Sequence, residues 1–240
     1  SADSPPADVC VLAGDLPPAL GSTERSALTT TTTTPAPSGI FEPRRCISLY
    51  WPAPAPPLAI PPLAARLQEM RDRLAAVGPP PYFGVTWRGG IAPEEQRGAT
   101  WVLFKSIDVH ALAHALGGLD ATVVSLQRAP LKGETDTLAA ALGREVADFS
   151  AVNDDLEGML ALLALIDEYI GVSNTNMHLR AAAGRTARVL VAAPAEWRWM
   201  QAGRSSPWFA GFSIYRQSLQ GDWTQARAAM KPDLEANFRG

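Results

Sequence analysis

The sequence predicts an α/β domain from about residue 80 to the C-terminus, built on a Rossmann-like parallel sheet with helices on both faces. Three observations lead to this fold class. Short apolar runs alternate with stretches of helical periodicity, which is the pattern of βαβ units. The runs are continuously apolar, as expected of strands buried on both sides. The segment from Leu165 to Arg198 shows the unit most completely, since it reads as strand, polar turn, helix and strand.

Ahead of this domain, residues 1–60 are expected to be an irregular segment rich in proline and threonine. Asp8–Leu12 could form one short strand. Thr29–Thr34 is a run of six threonines without an apolar face, which is typical of a mobile loop. Residues 50–63, YWPAPAPPLAIPPL, are proline-rich and are expected to form a semi-extended linker without activity.

Regular structure is expected to begin near Pro62, where leucine and methionine recur at helical spacing until Gly78 ends the pattern. The sequence therefore predicts three parts: residues 1–60, a connecting helix over 61–78 and the α/β domain over 79–240.

The elements of the domain follow from its apolar runs and from the residues that begin helices. Ser106 or Asp108 could cap the first helix, Asp154 and Asp155 precede the third, and Asp222 precedes the last, where their oxygens suit unpaired N–H groups. The predicted strands are Tyr82–Trp87, Ala121–Leu126, Val146–Phe149, Tyr169–Val172, Ala187–Val191 and Phe212–Tyr215. The predicted helices are Ser106–Leu116, Thr135–Leu142, Leu156–Ile166, Met177–Ala183 and Trp223 to about Leu234, with a helical turn over Glu196–Met200.

Composition excludes several classes of protein. The net charge of -3 gives no reason to expect a nucleic-acid partner, and no apolar run reaches the ~18 residues that a membrane span needs. Cys10 and Cys46 are the only cysteines, so neither a disulfide scaffold nor a metal-site spacing is indicated. The first residues do not resemble a signal peptide. We expect a cytoplasmic location, and a chain that begins with Ser is expected to be part of a longer one.

The polar turn Ser173–Asn176 is the first candidate for a ligand site. It follows a strand of the predicted parallel sheet, and ligands of such folds bind at the carboxyl ends of the strands. The same turn begins a helix, whose unpaired N–H groups and positive dipole end favour anions. The sequence therefore predicts a phosphate-bearing small ligand at Ser173–His178.

Several motifs occur in an order that resembles one family. They are GVTWRGG, FKSIDVHALAHAL, VVSLQR, DDLEGMLALLALIDEYIGVSNTNMHLRAAAG, AEWRWM, SSPWF, YRQ and GDW. Over about residues 80–225 the chain resembles GT-B glycosyltransferases of the heptosyltransferase-like family, which are often fused to tetratricopeptide repeats. Upstream, DVCVLAGDLPPALGST resembles the last strand and corner of the N-terminal domain of that family.

The resemblance implies that this chain is the C-terminal, donor-binding half of an inverting, metal-independent enzyme without a cofactor. Residues 1–60 would be the tail of a largely missing acceptor-side domain, which supplies the catalytic base in the family. The implied partners are a nucleotide-diphosphate sugar and a glycan or protein acceptor.

The resemblance also implies a set of donor-binding residues. Thr86 and Arg88 would lie near the diphosphate, Lys105 would offset charge on the departing phosphate, and Gln127 would bond the base or ribose. The full implied set is Thr86, Arg88, Lys105, Gln127, Ser173, Asn174, Thr175, His178 and Arg198. The family usually has Asp at the position of Ser173, whose shorter, uncharged side chain would alter the contact to the sugar.

Plainer interpretations remain open at each position. A loop Lys or Arg is often simply solvated, Asn174 can be only a helix cap, and His178 can bond a backbone carbonyl. Trp197, Trp199 and Trp208 read as packing residues rather than a sugar platform. Two other functions therefore stay in view: a catalytically degenerate GT-B-like interaction module, and a sugar-nucleotide epimerase, for which the chain offers few carboxylates.

Overall fold

The computed structural model of the chain describes residues 28–30, 47–49, 59–89 and 105–238. The chain divides into two compact units, Ser1–Pro54 and Ala55–Gly240. The predicted helix over 61–78 lies in the second unit, while our division of the chain into functional domains stays a prediction.

In the first unit, strand β1 (Leu28–Thr30) pairs antiparallel with strand β2 (Ile47–Leu49). Thr29 and Thr30 thus lie in a strand, and the prediction of a loop is wrong for these two residues. Threonine is β-branched and suits a pleated strand, a preference that the absence of an apolar face does not cancel. The strand predicted at Asp8–Leu12 and the rest of the threonine run lie outside the described residues.

The second unit confirms the predicted fold class, since its strands form one parallel sheet of six. Its strands are β3 (Tyr82–Thr86), β4 (Thr122–Ser125), β5 (Val146–Asp148), β6 (Glu168–Val172), β7 (Arg188–Val191) and β8 (Ser213–Arg216). Its α-helices are α1 (Ala64–Val77), α2 (Val109–Leu116), α3 (Glu134–Leu142), α4 (Leu156–Leu165), α5 (Thr175–Ala182) and α6 (Thr224–Phe238). Short 3-10 helices cover Ser150–Asp154, which the sequence did not predict, and Trp197–Trp199.

The strand order in the sheet is β5-β4-β3-β6-β7-β8. The chain therefore adds β4 and β5 on one side of β3. It then returns to the other side of β3, where it adds β6, β7 and β8. Between β3 and β6, where Thr86 lies opposite Gly171, the direction of winding reverses. The carboxyl ends of these two strands flank the crevice in which open α/β sheets bind ligands.

Alternate strand residues pack into two separate hydrophobic clusters, one for each face of the sheet. Val123 joins the cluster that contains Leu138 of α3, while Val124 joins the cluster that contains Met159 of α4. Helices α2, α3 and α6 contribute to the first cluster, and α1, α4 and α5 contribute to the second. This double burial explains why the strands read as continuous apolar runs.

Helix caps account for two differences between the predicted and observed helix starts. Asp108, rather than Ser106, caps α2, because its Oδ1 accepts from the N–H of Ala111 at 3.0 Å. Helix α5 begins two residues earlier than predicted, since the Asn174 side chain accepts from the N–H of Asn176 at 3.0 Å. The polar turn after β6 is therefore the first turn of this helix.

Arg180 fixes the far half of α5 against the sheet. Its guanidinium donates to the carbonyl oxygens of Ile166 at 2.8 Å, Asp167 at 3.1 Å and Thr186 at 2.8 Å. Burial lowers the pKa of this side chain to about 10, so it remains charged at neutral pH. The last turn of α5 is thereby held in place relative to the segments that precede β6 and β7.

No described helix combines the length and the apolar composition that crossing a bilayer requires.

Candidate functional site

The carboxyl edge of the sheet carries all of the predicted site residues. Thr86 is the last residue of β3 and Arg88 follows it, while Gln127 follows β4, Ser173 follows β6 and Arg198 follows β7. Lys105 reaches the same edge because the N–H of Gly89 donates to its carbonyl oxygen at 2.7 Å. The predicted residues then separate into groups with different surroundings.

Three neutral side chains form a closed ring between β3 and β6, which we call the switch-point triad: Thr86, Tyr169 and Asn174. Asn174 Nδ2 donates to Thr86 Oγ1 at 2.9 Å, and the Tyr169 hydroxyl donates to Asn174 Oδ1 at 3.1 Å. Thr86 and Tyr169 hydroxyls are 3.0 Å apart. Burial raises the pKa of Tyr169 to about 12, against the effect of its hydrogen bonds to Thr86 and Asn174.

Gly171 on β6 allows this ring to form. A Cβ at this position would lie 2.1 Å from Thr86 Oγ1 and 2.8 Å from the Thr86 carbonyl oxygen. Only a residue without a side chain leaves room for Thr86 at this point. The glycine therefore determines how closely the two central strands bring their polar ends together.

Gln127 and most of the Arg88 guanidinium are occupied by contacts within the protein, although Arg88 Nη1 is buried without a hydrogen-bond partner among the described residues. Gln127, 1% exposed, accepts from the N–H groups of Trp87 and Arg88 at 3.0 Å each, and its amide donates to the Arg88 carbonyl at 3.3 Å. Arg88, 4% exposed, pairs with Glu134 at 2.7 Å and donates to the Ala129 carbonyl at 2.9 Å. Their predicted contacts with a base, ribose or diphosphate stay predictions that this geometry does not favour.

The same ion pair governs the acidity of Glu134. Burial by itself would raise the pKa of the carboxyl group, but hydrogen bonds from Arg88 and from the N–H of Leu131 outweigh it, and the pKa lies below its ordinary value. Glu134 is therefore ionised at neutral pH and holds Arg88 in place.

On the β7 side, Glu196 joins three predicted residues in what we call the Glu196 cluster: Lys105, Ser173, Glu196 and Arg198. Glu196 Oε2 accepts from the Ser173 hydroxyl at 2.6 Å, while Oε1 lies 3.3 Å from Lys105 Nζ and 2.7 Å from Arg198 Nη2. The side chains of Lys105 and Arg198 are 25% and 23% exposed. Both cations thus combine an internal partner with access to solvent.

The acidity of Glu196 reflects its three partners. Burial would raise the pKa of this carboxyl group, but the Ser173 hydrogen bond and the charges of Lys105 and Arg198 outweigh it and lower the pKa. The cluster therefore carries two positive charges and one negative charge at neutral pH, and has an excess of one positive charge.

His178 lies one turn into α5, next to this cluster. Its ring meets Phe209 edge-on, with centroids 5.3 Å apart, while the residue remains exposed. Burial and the nearby charges of Arg198 and Lys105 lower the pKa of the imidazole, and Glu196 acts in the opposite direction. His178 is therefore mainly neutral at pH 7. Thr175, at the start of the same helix, is also exposed.

Sequence reasoning missed Tyr169 and Glu196. Tyr169 looked like an ordinary core residue of an apolar strand, and nothing in the sequence shows that its hydroxyl reaches the polar edge. Glu196, in contrast, follows β7 only two residues before Arg198, and the positional argument that selected Arg198 also applies to it. Within the described ranges, no group of histidine, cysteine and acidic side chains is arranged to hold a metal ion.

Comparison with known proteins leads to a fold rather than a family. No protein-family model matches the chain, and no curated protein matches it. E. coli ADP-heptose lps heptosyltransferase II is similar with a TM-score of 0.50 and 15% identity, over 79% of this chain and 54% of that one. The glycosyl transferase family 9 protein of Veillonella parvula DSM 2008 has a TM-score of 0.45 and 15% identity, over 68% of this chain and 43% of that one.

The chain spans about half the length of these structures. At 15% identity the likeness to the E. coli protein concerns the fold alone. The chain therefore has a glycosyltransferase-like α/β fold, with a polar site at the carboxyl edge of its sheet.

Proposed function

We propose that this chain is the donor-binding portion of a metal-independent, inverting glycosyltransferase that transfers a sugar to a glycan or protein acceptor. The observation that carries the proposal is the Glu196 cluster, which puts two partly exposed cations beside the start of α5 at the carboxyl edge. A nucleoside diphosphate matches this arrangement in charge and in position.

Electrostatics support diphosphate binding at the cluster. Lys105 and Arg198 share one carboxylate, so that one positive charge is left for a ligand. Their partial burial reduces screening by water and strengthens the attraction to an anion. In a transfer reaction without a metal, such cations would stabilise the negative charge that develops on the departing diphosphate.

The beginning of α5 adds polar groups to the same place. Thr175 is the exposed residue of its first turn, while the N–H of Asn176 is already bonded to Asn174. The helix end therefore contributes fewer free donors than the sequence suggests, and the cations carry more of the proposed binding. His178 would add a hydrogen bond from its neutral ring.

Ser173 and Glu196 together suggest how the sugar is held. The resembling family has Asp where this chain has Ser173, and here the Glu196 carboxylate lies 2.6 Å from the Ser173 hydroxyl. We infer that Glu196 supplies the carboxylate that contacts the donor sugar. Because the catalytic base is expected from another domain, this chain should bind donor without efficient transfer.

Calorimetric titration of the chain with ADP-, UDP- and GDP-sugars tests the proposal. At least one should bind, and Lys105→Met should weaken that binding about tenfold, the loss of one charge-assisted contact. Lys231→Met on α6 removes the same charge elsewhere and should leave binding unchanged. Absence of heat with every sugar nucleotide, from a chain shown to be folded, would contradict the proposal.

An interaction module without donor binding is the second candidate. It is favoured by the closed contacts of Thr86, Arg88 and Gln127, which leave fewer side chains for a ligand than the resemblance implies. In that case no sugar nucleotide would bind, and Lys105→Met would behave as the wild type in every ligand assay.

A further inference from the structure

A cavity of about 450 Å³ lies along α5, outside the switch-point triad. It extends from His178, near the start of the helix, to Gly184 and Thr186 beyond its end. The opposite wall comes from the turn after β7 and from the segment that precedes β8. A volume of this size is in the range of small-molecule sites. Of its lining, the function proposed above uses only His178 and Arg198.

Aromatic side chains make up the opposite wall. Trp197 is 47% exposed, and its ring meets Trp208 edge-on at 5.1 Å. Phe209 lies deeper and stacks on the buried ring of Trp199 at 4.5 Å. Trp197 thus packs at the edge of the domain and keeps about half of its surface exposed, whereas Trp199 is part of the core. An exposed indole beside a cavity offers a flat apolar face, on which the C–H faces of a sugar ring can pack.

Basic side chains give the cavity its charge. Arg185 is exposed and makes no ion pair with any described residue. The Arg198 guanidinium lies 5.7 Å from the centre of the Trp197 ring, and its Nε has no hydrogen-bond partner among the described residues, although Nη2 pairs with Glu196. None of the described lining residues is acidic. The cavity is therefore complementary to a negatively charged ligand.

The walls of the cavity are held by internal hydrogen bonds. Arg216 donates to the carbonyl oxygens of Trp199 at 2.6 Å and Met200 at 2.9 Å. The Ser206 hydroxyl donates to the Arg198 carbonyl at 2.6 Å. A wall fixed in this way exists before a ligand arrives, which reduces the entropy lost on binding.

We propose that this cavity binds an acidic oligosaccharide. Trp197 would pack on a sugar ring, and Arg185 and Arg198 would bind its carboxylate or phosphate groups. His178 and Arg198 belong both to this cavity and to the surroundings of the Glu196 cluster. A glycan bound here therefore ends beside the proposed donor site, as an acceptor would. Only this acceptor role rests on the proposed function.

The test uses the full chain on a printed array of acidic and neutral oligosaccharides, followed by titration with the acidic glycan that binds best. That glycan should bind at least about tenfold more tightly than its neutral counterpart, because ionic contacts are lost with the charge. Trp197→Ala should weaken binding about tenfold and Trp197→Phe much less, since Phe keeps an aromatic face. Arg185→Gln should weaken it about threefold, as expected of an exposed charge.

Two controls separate this inference from the proposed function. Arg71→Gln, an exposed arginine on α1, should not change glycan binding, and near-ultraviolet circular dichroism should show that each variant is folded. Trp197→Ala and Arg185→Gln should leave sugar-nucleotide binding unchanged. Glycan binding without nucleotide binding would contradict only the donor proposal.

Three results would overturn the inference. The first is the absence of binding by every acidic glycan on the array, and the second is equal binding of acidic and neutral glycans. The third is that Trp197→Ala weakens nucleotide binding rather than glycan binding, which would mean that the cavity belongs to the nucleotide.

Discussion

The two sides of the sheet's carboxyl edge differ in how their charged groups are satisfied. On the β4 side, Arg88 is buried and paired with Glu134, and Gln127 uses both ends of its amide on neighbouring backbone. On the β7 side, Lys105 and Arg198 share the single carboxylate of Glu196 and keep a quarter of their surface in solvent. Charged side chains thus form internal structural contacts on the β4 side and remain accessible to a ligand on the β7 side.

This difference shows that position at the edge is not sufficient for a binding role. A buried arginine must be paired, because an isolated buried charge is very costly, and the pairing removes it from contact with a ligand. A partly exposed cation that shares its carboxylate partner loses little interaction energy when it turns to bind an anion. The contrast can be tested by measuring stability on one side and ligand affinity on the other.

Arg88→Met should have the largest effect. It leaves the partly buried Glu134 charged without its partner and should lower the free energy of unfolding by about 3 kcal/mol, the lower end of the range for removing one member of a buried pair. Arg198→Met on the accessible side should cost less than about 1 kcal/mol. Urea denaturation of both variants measures the difference, and equal losses would show that the two sides do not differ as described.

Gly171→Ala should be the next largest effect. The added methyl group would overlap Thr86 Oγ1, and such overpacking typically lowers the free energy of unfolding by about 1–3 kcal/mol. Gly117→Ala is the matched control, since a Cβ there meets only ordinary contacts of 3.5 Å or more. Thermal unfolding followed by circular dichroism compares the two, and a harmless Gly171→Ala would mean that the triad can separate without cost.

The parallel edge itself could be predicted from the sequence, because parallel strands that alternate with helices must end on the same side. Thr86 and Asn174, 88 positions apart, are indeed hydrogen-bonded. The sequence could not predict which side chains at this edge are buried in internal contacts and which remain accessible to a ligand. A glutamine after a strand can face a ligand or bond the backbone next to it, and which of these Gln127 does depends on how the chain after β3 passes over it.

Glu196→Gln tests how the shared carboxylate affects anion binding on the accessible side of the edge. Removing this negative charge leaves Lys105 and Arg198 uncompensated, so inorganic pyrophosphate should bind about threefold more tightly, within the usual range for a half-exposed ion pair. Glu134→Gln, on the closed side, should leave pyrophosphate binding unchanged. Calorimetry at constant ionic strength measures both, and weaker binding by Glu196→Gln would mean that Glu196 acts mainly by orienting the two cations.

The smallest expected effect is on the titration of His178. Arg198 lowers the pKa of the imidazole and Glu196 raises it, so Arg198→Met should move this pKa up and Glu196→Gln should move it down. In the wild type, protonation below the ordinary pKa of about 6.5 adds positive charge to the edge, and pyrophosphate binding should strengthen as the pH falls through the pKa of His178. Proton NMR of the histidine ring follows the titration directly, and an unchanged pKa in both variants would place His178 away from these charges.

The ring of Thr86, Tyr169 and Asn174 has a consequence for proton transfer. With Asn174 donating to Thr86 and Tyr169 donating to Asn174, the remaining bond is donated by Thr86 to Tyr169, so each hydroxyl proton has one acceptor. Because burial raises the pKa of the Tyr169 phenol to about 12, the switch-point triad exchanges no proton with a ligand near neutral pH. The triad can support the ends of β3 and β6 structurally, and any acid–base chemistry must come from other residues.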